Sequence, residues 1–351
     1  MSSYVSPIAS GAVLALLAAL SFGLTTPIIE RAGHGLGPFA TAALLYAGAA
    51  MSAVILARLV PSSGAPLGRA QLGRLFAIAI AGGAVAPSFL AWGLQRSGAA
   101  TGSLLLNLEA VFTVLLARLI YKEQIGRRVA VALALMALGG AALTFDAASA
   151  ANWSLLGALA IMSATAAWAL DNTLSRGLAE QDPVQVVASK GALGAAVTGI
   201  AALAARESRP TFFAVWALLL CGATGYGLSL RLYLLAQRRI GAARTGSIFA
   251  IAPFVGASVA WGLGDRSLGA WTLASAGLFA LGVVLHVTER HRHVHIHMAM
   301  EHDHPHRHDD GHHDHVHVAP FVGEHSHPHS HRRVEHEHEH APDVHHEHVH
   351  E

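Results

Sequence analysis

The chain reads as an all-α membrane protein, with ten transmembrane helices arranged as two inverted five-helix repeats and a disordered C-terminal tail. Three observations carry that reading. Apolar runs of about 20 residues, the length that matches a bilayer core, recur through the first 288 positions with short polar breaks between them. The composition agrees, since 53% hydrophobic residues, 35 glycines and only 13% charged residues describe helices solvated by lipid and packed closely on one another. Two stretches, 98–123 and 241–260, also echo each other. Both contain Thr-Gly-Ser, at 101–103 and 245–247, and the match sets Glu109 opposite Pro253.

The expected spans lie near 7–29, 37–59, 73–95, 100–120, 127–146, 153–175, 184–204, 211–235, 243–263 and 268–288. The first lacks the positive leader and cleavage site of a secretory signal, so it is read as a retained span. Other stretches also match in order. Residues 11–31 run parallel to 157–176, with Phe22 opposite Trp168, and 37–48 run parallel to 182–193, with Leu45 opposite Lys190. Five is an odd number, so the second half enters the membrane upside down relative to the first, a plan that puts a binding site near the midplane between halves. The domains expected are 1–146, 147–290 and a tail at 291–351.

Charge sets both the orientation and the tail apart. Residues 1–288 hold 18 Lys and Arg against 9 Asp and Glu, a net +9, whereas 289–351 hold 5 against 13, a net −8. With the N-terminus in the cytosol, 12 basic residues fall on cytosolic loops or span ends, from Arg58 and Arg69 to Arg244, and five (Arg31, Arg96, Arg206, Arg209 and Arg266) fall opposite. Positive charge is retained inside, so both termini are expected to be cytoplasmic in a multi-pass protein of the inner (plasma) membrane. Cys221 is the only cysteine, which excludes an internal disulfide.

Several segments resemble a known family. GAARTGSIFAIAPFVGASVAWGLGD (241–265) and LARLIYKEQIGRR (116–128) are similar to the EamA-type members of the drug/metabolite transporter superfamily. WALDNTLSR (168–176) followed by DPVQVVASKG (182–191) looks like a subgroup with an Asp-Asn pair at that place. The resemblance covers about residues 8–288 and implies a ten-helix bundle, a central cavity and alternating access. It fixes no substrate. The fourth span departs from its repeat partner in carrying Glu109 where the partner has proline.

Glu109 is the first candidate site residue. A charge near the bilayer centre costs about 2.5–3.5 kcal/mol on insertion scales, so an acid there faces protein or water and commonly marks a pathway. The bland alternative is a carboxylate hydrogen-bonded for helix packing. Thr113, one turn on, shares its face, while Asn107 lies two positions away and points elsewhere. Asp171 and Lys190 lie at matching depth on neighbouring spans, about 8–9 Å inside by helical rise. They read either as a gate or charge relay with Glu109 or as a structural ion pair. Trp168 and Asn172 sit one turn apart and add an indole and an amide to the cavity, with Tyr226 a further candidate. The glycine-rich patches 81–84 and 225–227 read as close helix contacts, and Pro27, Pro87 and Pro253 as kinks.

The tail carries a second signal. Residues 291–351 hold 23 histidines, many alternating with Asp, Glu or Val. Little apolar content predicts disorder, and alternate imidazoles on an extended chain can share a metal. The candidate ligands are His291, His293, His295, His297, His302, His304, His306, His308, His336, His338, His340, His345, His346 and His348. Imidazole suits Zn, Ni, Co and Cu, and no fixed four-ligand spacing marks a structural site. The tail therefore reads as an adaptable metal buffer, with a solubilising or pH-responsive segment as the alternative.

No nucleotide loop, nucleophilic triad or hydrolytic metal motif occurs, so an enzyme is not expected, no cofactor is required and no nucleic acid is implied. The function expected is secondary export of a small solute across the lipid bilayer, with protons as a candidate coupling ion and a homodimer left open. Transition-metal export or metal-linked efflux is the sharper version, and a small-metabolite or amino-acid exporter with a buffering tail is the first alternative. A membrane-anchored metal store or sensor is the second, although an anchor has no use for costly intramembrane charges.

Overall fold

The computed structural model describes residues 7–59, 65–121, 125–149, 154–178, 181–240, 242–265 and 269–287, and in the tail 291–297, 301–306, 325–330 and 334–340. The chain divides into two units, Met1–Glu289 and Arg290–Glu351. The first is a helical bundle. Its first half holds α1 (Pro7–Ala32), α2 (Pro38–Leu59), α3 (Leu72–Ile78), α4 (Ala86–Ser97), α5 (Ala99–Leu105), α6 (Leu108–Tyr121) and α7 (Arg127–Ser149). The second holds α8 (Ser154–Ser175), α9 (Pro183–Ala204), α10 (Phe212–Cys221), α11 (Ser229–Ile240), α12 (Ala242–Phe249), α13 (Ala252–Gly262) and α14 (Ala270–Val287).

Among the described residues, eight helical segments are long and apolar enough to cross a membrane. Two of them, Arg69–Ser97 and Phe212–Gln237, run through π-helical turns. The last two expected spans correspond to the α12–α13 pair, interrupted at Ala250-Ile251, and to the shorter apolar helix Ala270–His286. Leu17, Ile55, Leu119, Leu138, Ile200 and Trp216 are exposed, as expected where lipid is the solvent. Small residues such as Ala15, Ala18, Ala42, Ala49, Ala164 and Thr165 fill the interior, where they let helices approach closely.

Two irregularities recur at equivalent places in the halves. The third span is π-helical over Ala79–Val85 and the eighth over Gly222–Leu228. The fourth breaks at Leu106-Asn107 between α5 and α6, and the ninth at Ala250-Ile251 between α12 and α13. An unbroken fourth span with Glu109 in mid-helix, the sequence expectation, is thereby corrected. The physical reason is local. The Asn107 side-chain amide donates to the Leu104 carbonyl at 3.0 Å, beside the Asn107 backbone N–H at 3.1 Å, a local bond that competes with the helical ladder. Glu109 therefore lies in the first turn of α6 and Pro253 in the first turn of α13. Helix starts favour both residue types: acids meet the positive end of the dipole, and proline lacks only an N–H that has no partner there.

The packing follows the same symmetry. α2 lies against its counterpart α9, and α7 against α14, while α1 packs on α11 as α4 packs on α8. One end of the bundle is drawn together. There α5 and α13 pack side by side, Asp265 accepts from the Ala100 N–H at 3.0 Å, and the Arg31 guanidinium donates to the Leu263 carbonyl. Their repeat equivalents, α12 and α6, share no comparable interface among the described residues.

Within the described part of the tail, β1 (His291–His297) pairs antiparallel with β4 (Val334–His340), and β2 (Glu301–His306) with β3 (His325–Ser330). An alternating sequence has the period of a strand, and the register sets His293 opposite His338, His295 opposite His336 and His304 opposite His327. His308, His345, His346 and His348 lie outside the described residues.

Candidate functional site

Glu109 on α6, Asp171 on α8 and Lys190 on α9 lie close together beside the Ala79–Val85 π-helical stretch, against which α8 and α9 pack. Glu109 accepts a hydrogen bond from the Asn172 amide of α8 at 2.5 Å. Asn172 faces Glu109 because it stands one helical turn from Trp168 on a helix that packs against both α6 and the Ala79–Val85 stretch. Its neighbour Asp171 points instead to α9, where it forms a buried ion pair with Lys190. Ser175 donates to the second Asp171 oxygen at 3.3 Å. The two residues placed at matching depth by the sequence thus meet in space.

Behind the ion pair the Gly82 carbonyl accepts from the Tyr46 hydroxyl and, at 3.1 Å, from the Trp168 indole N–H. A carbonyl in a regular helix is committed to its own ladder, whereas π-helical turns alter that ladder and occur often at functional sites. Gly82 serves a second purpose, because a Cβ there would overlap the Asp171 carboxylate. One residue without a side chain therefore admits the acid and anchors two aromatic donors.

A group of rings completes the site. Phe22 stands edge-on to Trp168 and Tyr226 at centroid distances of 6.1 and 5.6 Å, and 5.6 Å from Phe249. Tyr46 lies 5.6 Å from Tyr226, and Tyr233 lies 5.1 Å from Phe249. Such spacings suit attractive edge-to-face contact. Exposure sorts the set into two layers. Asp171, Lys190, Tyr46, Trp168 and Tyr226 are buried, while Glu109, Asn172, Phe22, Tyr233 and Phe249 are half-buried. The second group is the more exposed of the two.

Of the residues singled out in the sequence, Glu109, Asn172, Asp171, Lys190, Trp168 and Tyr226 are brought together. Thr113 lies half-buried one turn beyond Glu109 on α6, and Asn107 is buried in the α5–α6 turn, bonded to Leu104. Sequence reasoning missed Tyr46, Gly82, Tyr233 and Phe249 as parts of the site. Phe22 carried a signal in its match to Trp168 across the repeats. Among the described residues, no group of three or more His, Cys, Asp or Glu could hold a metal ion.

Away from the centre, the closed end holds a cavity of about 340 Å³ lined by Pro27, Glu30, Arg31, Gly98, Ala260 and Asp265, among others. Gly98 joins α4 to α5 with a φ of +79°, a conformation that glycine adopts without a Cβ clash.

Comparisons with known proteins agree with this architecture. A protein of known crystal structure superposes with a TM-score of 0.59 over 80% of this chain and 98% of its own, at 17% identity, a likeness of fold. An uncharacterized transporter of Methanothermobacter thermautotrophicus is 29% identical over 185 residues, 50% of this chain. The chain spans about half the length of that relative, 53%. The EamA-like transporter family matches twice, at residues 9–145 and 155–288, once in each half. With both halves matched, the chain belongs to the EamA-like transporter family.

Proposed function

We propose that this protein is a secondary transporter that exports a small solute by alternating access, with its binding site in front of Glu109. The observation that carries the reading is the Glu109–Asn172 contact. It joins an acid of the first half to an amide of the second, at a helix break, on the accessible face of an otherwise buried polar set. Movement of one half against the other would make or break that contact, so occupancy at the acid and the disposition of the halves are linked. A carboxylate able to take up a proton also supplies a coupling site. In this reading ten spans cross the inner membrane and both termini are cytosolic, as the distribution of arginines supports.

Metal export, or metal-linked efflux, is the second reading, and the tail favours it. Histidines at alternate positions, set opposite one another in the strand register, offer imidazole pairs to Zn, Ni, Co or Cu. The tail would then gather the cargo or buffer it.

Flux into proteoliposomes tests the function. Purified protein should move at least one solute down an imposed pH gradient, and Glu109→Gln should abolish or uncouple that flux while the protein remains folded. Unchanged flux and pH dependence in the variant would reduce Glu109 to a packing residue. Accumulation of Ni²⁺ or Zn²⁺ in place of organic solutes would establish the second reading.

A further inference from the structure

The closed end of the bundle carries two carboxylates that the central site does not use. Glu30 lies in the last turn of α1 and Asp265 follows α13, so they belong to different halves. Both line the cavity of about 340 Å³ at that end, and they lie within electrostatic range of each other. Asp265 also accepts from the Ala100 N–H of α5 at 3.0 Å. A contact that draws the halves together is thus made by an acid that faces a second acid. Two carboxylates sharing a site repel when both are ionised, and one proton between them relieves the repulsion. The closed interface also carries a cost of its own. The Ser103 hydroxyl is fully buried at the α5–α13 packing, beside Gly256, without a hydrogen-bond partner among the described residues. A buried hydroxyl left in that condition disfavours the arrangement that buries it, so the polar contacts at the mouth weigh more in the balance.

The surroundings supply few other charges. Near Glu30 are Arg31, whose guanidinium donates to the Leu263 carbonyl, and the exposed His34. α5, α10 and α13, which pack on α1, carry no charged residue. Arg96 on α4 stacks on Trp92, with its guanidinium 3.8 Å from the ring centre. Arg231, Arg238 and Arg239 of α11 and Arg244 of α12 stand toward the other end, where Arg239 lies beside Gly11 of α1. We propose that Glu30 and Asp265 form a proton-operated latch at this mouth of the transporter. A proton taken from the adjoining medium onto Glu30 holds the mouth shut, while Asp265 keeps the Ala100 N–H; loss of that proton lets the halves part there. The inference rests on the transporter reading above. In the orientation proposed there this mouth is the outer one, so external acid slows the release of solute. On opening, the proton returns to the side it came from, so the latch senses pH without itself coupling transport. The closed form binds the proton more tightly than the open form, in which the acids stand apart. The open-to-closed ratio therefore rises with pH, by at most about tenfold per unit for one proton, starting near about pH 4, where separated carboxylates titrate.

Pulsed electron–electron double resonance on the full-length protein in lipid nanodiscs tests this. With Cys221→Ala and spin labels at Phe89→Cys and Gly262→Cys, exposed positions of α4 and α13, the mouth is read as a distance distribution from about pH 4 to about pH 8. A short distance should dominate in acid, and the share of a longer one should grow about threefold or more as pH rises. Glu30→Gln, which cannot ionise, should hold the short distance at every pH. Asp265→Asn keeps an acceptor for the Ala100 N–H and should also abolish the pH response, which keeps the test informative if the first variant fails to fold. Ser103→Ala should favour the short distance while retaining a response to pH. A distribution that does not change with pH would overturn the latch, as would a response that survives Glu30→Gln. Parallel flux measurements separate the two claims. A pH-dependent mouth without flux of any solute leaves the latch standing and removes the transporter reading, and flux with a mouth indifferent to pH does the reverse.

Discussion

At the residue scale the molecule depends on a few polar groups that satisfy one another where water is scarce. Asp171 and Lys190 are the clearest case, because a buried pair is costly to form and costlier to break. Asp171→Asn should destabilise the protein by about 3–5 kcal/mol by leaving the lysine uncompensated. Adding Lys190→Met should recover part of that loss. Thermal unfolding in detergent across the double-mutant cycle measures the coupling, and strict additivity would show that the pair contributes nothing jointly. Gly82→Ala tests the layer behind. Its methyl group would displace the Asp171 carboxylate, so a loss of about 1–3 kcal/mol is expected from overpacking, where an ordinary helical Gly→Ala change stabilises. The acid, amide, lysine and indole were legible in the sequence because polar groups stand out in apolar runs. Gly82 was not, since its role is played by a backbone carbonyl and an absent side chain.

At the element scale the interruptions matter more than the helices. Hydropathy averages over 20 residues and reads two half-helices as one, which is why the break at Leu106-Asn107 escaped detection although Pro253 marked the equivalent position. The π-helical stretches escaped too, because their signatures, AGGA and GYG, look like ordinary close-packing patches. What the repeat match did reveal was the equivalence of Glu109 and Pro253, and the structure gives it a common cause in the first turn of a helix. The closed end is built from such half-helix termini, and its fastening is testable. Asp265→Ala removes the acceptor for the Ala100 N–H. A cysteine placed at Ala260, which is buried, should then react several-fold faster with a membrane-impermeant thiol reagent. An unchanged rate would show that the α5–α13 packing holds that end shut by itself.

At the scale of the whole molecule, the sequence conveyed the helical membrane class and the division into halves, because span length and repetition are properties of composition and order. Two outcomes are expected here. Reporter fusions after Arg69 and after residue 290 should both read cytosolic, and an external signal from the second would overturn the expected number of spans. A chain ending near His291 should still insert and move its solute while losing most of its Ni²⁺ or Zn²⁺ binding, measured by equilibrium dialysis. In the intact chain that binding should weaken below about pH 6, where imidazoles take up protons in place of metal.

The unequal closure of the two ends has a consequence of its own. α5 with α13 and α12 with α6 are the same pair of segments seen in the two repeats, joined in one and without a comparable interface among the described residues in the other. Under the proposed alternating access, each repeat serves as the mould for the posture its twin takes in the other state. Exchanging the two postures yields a second molecule of identical covalent structure whose shut mouth is at the opposite surface. In that counterpart state α12 and α6 meet where α5 and α13 part.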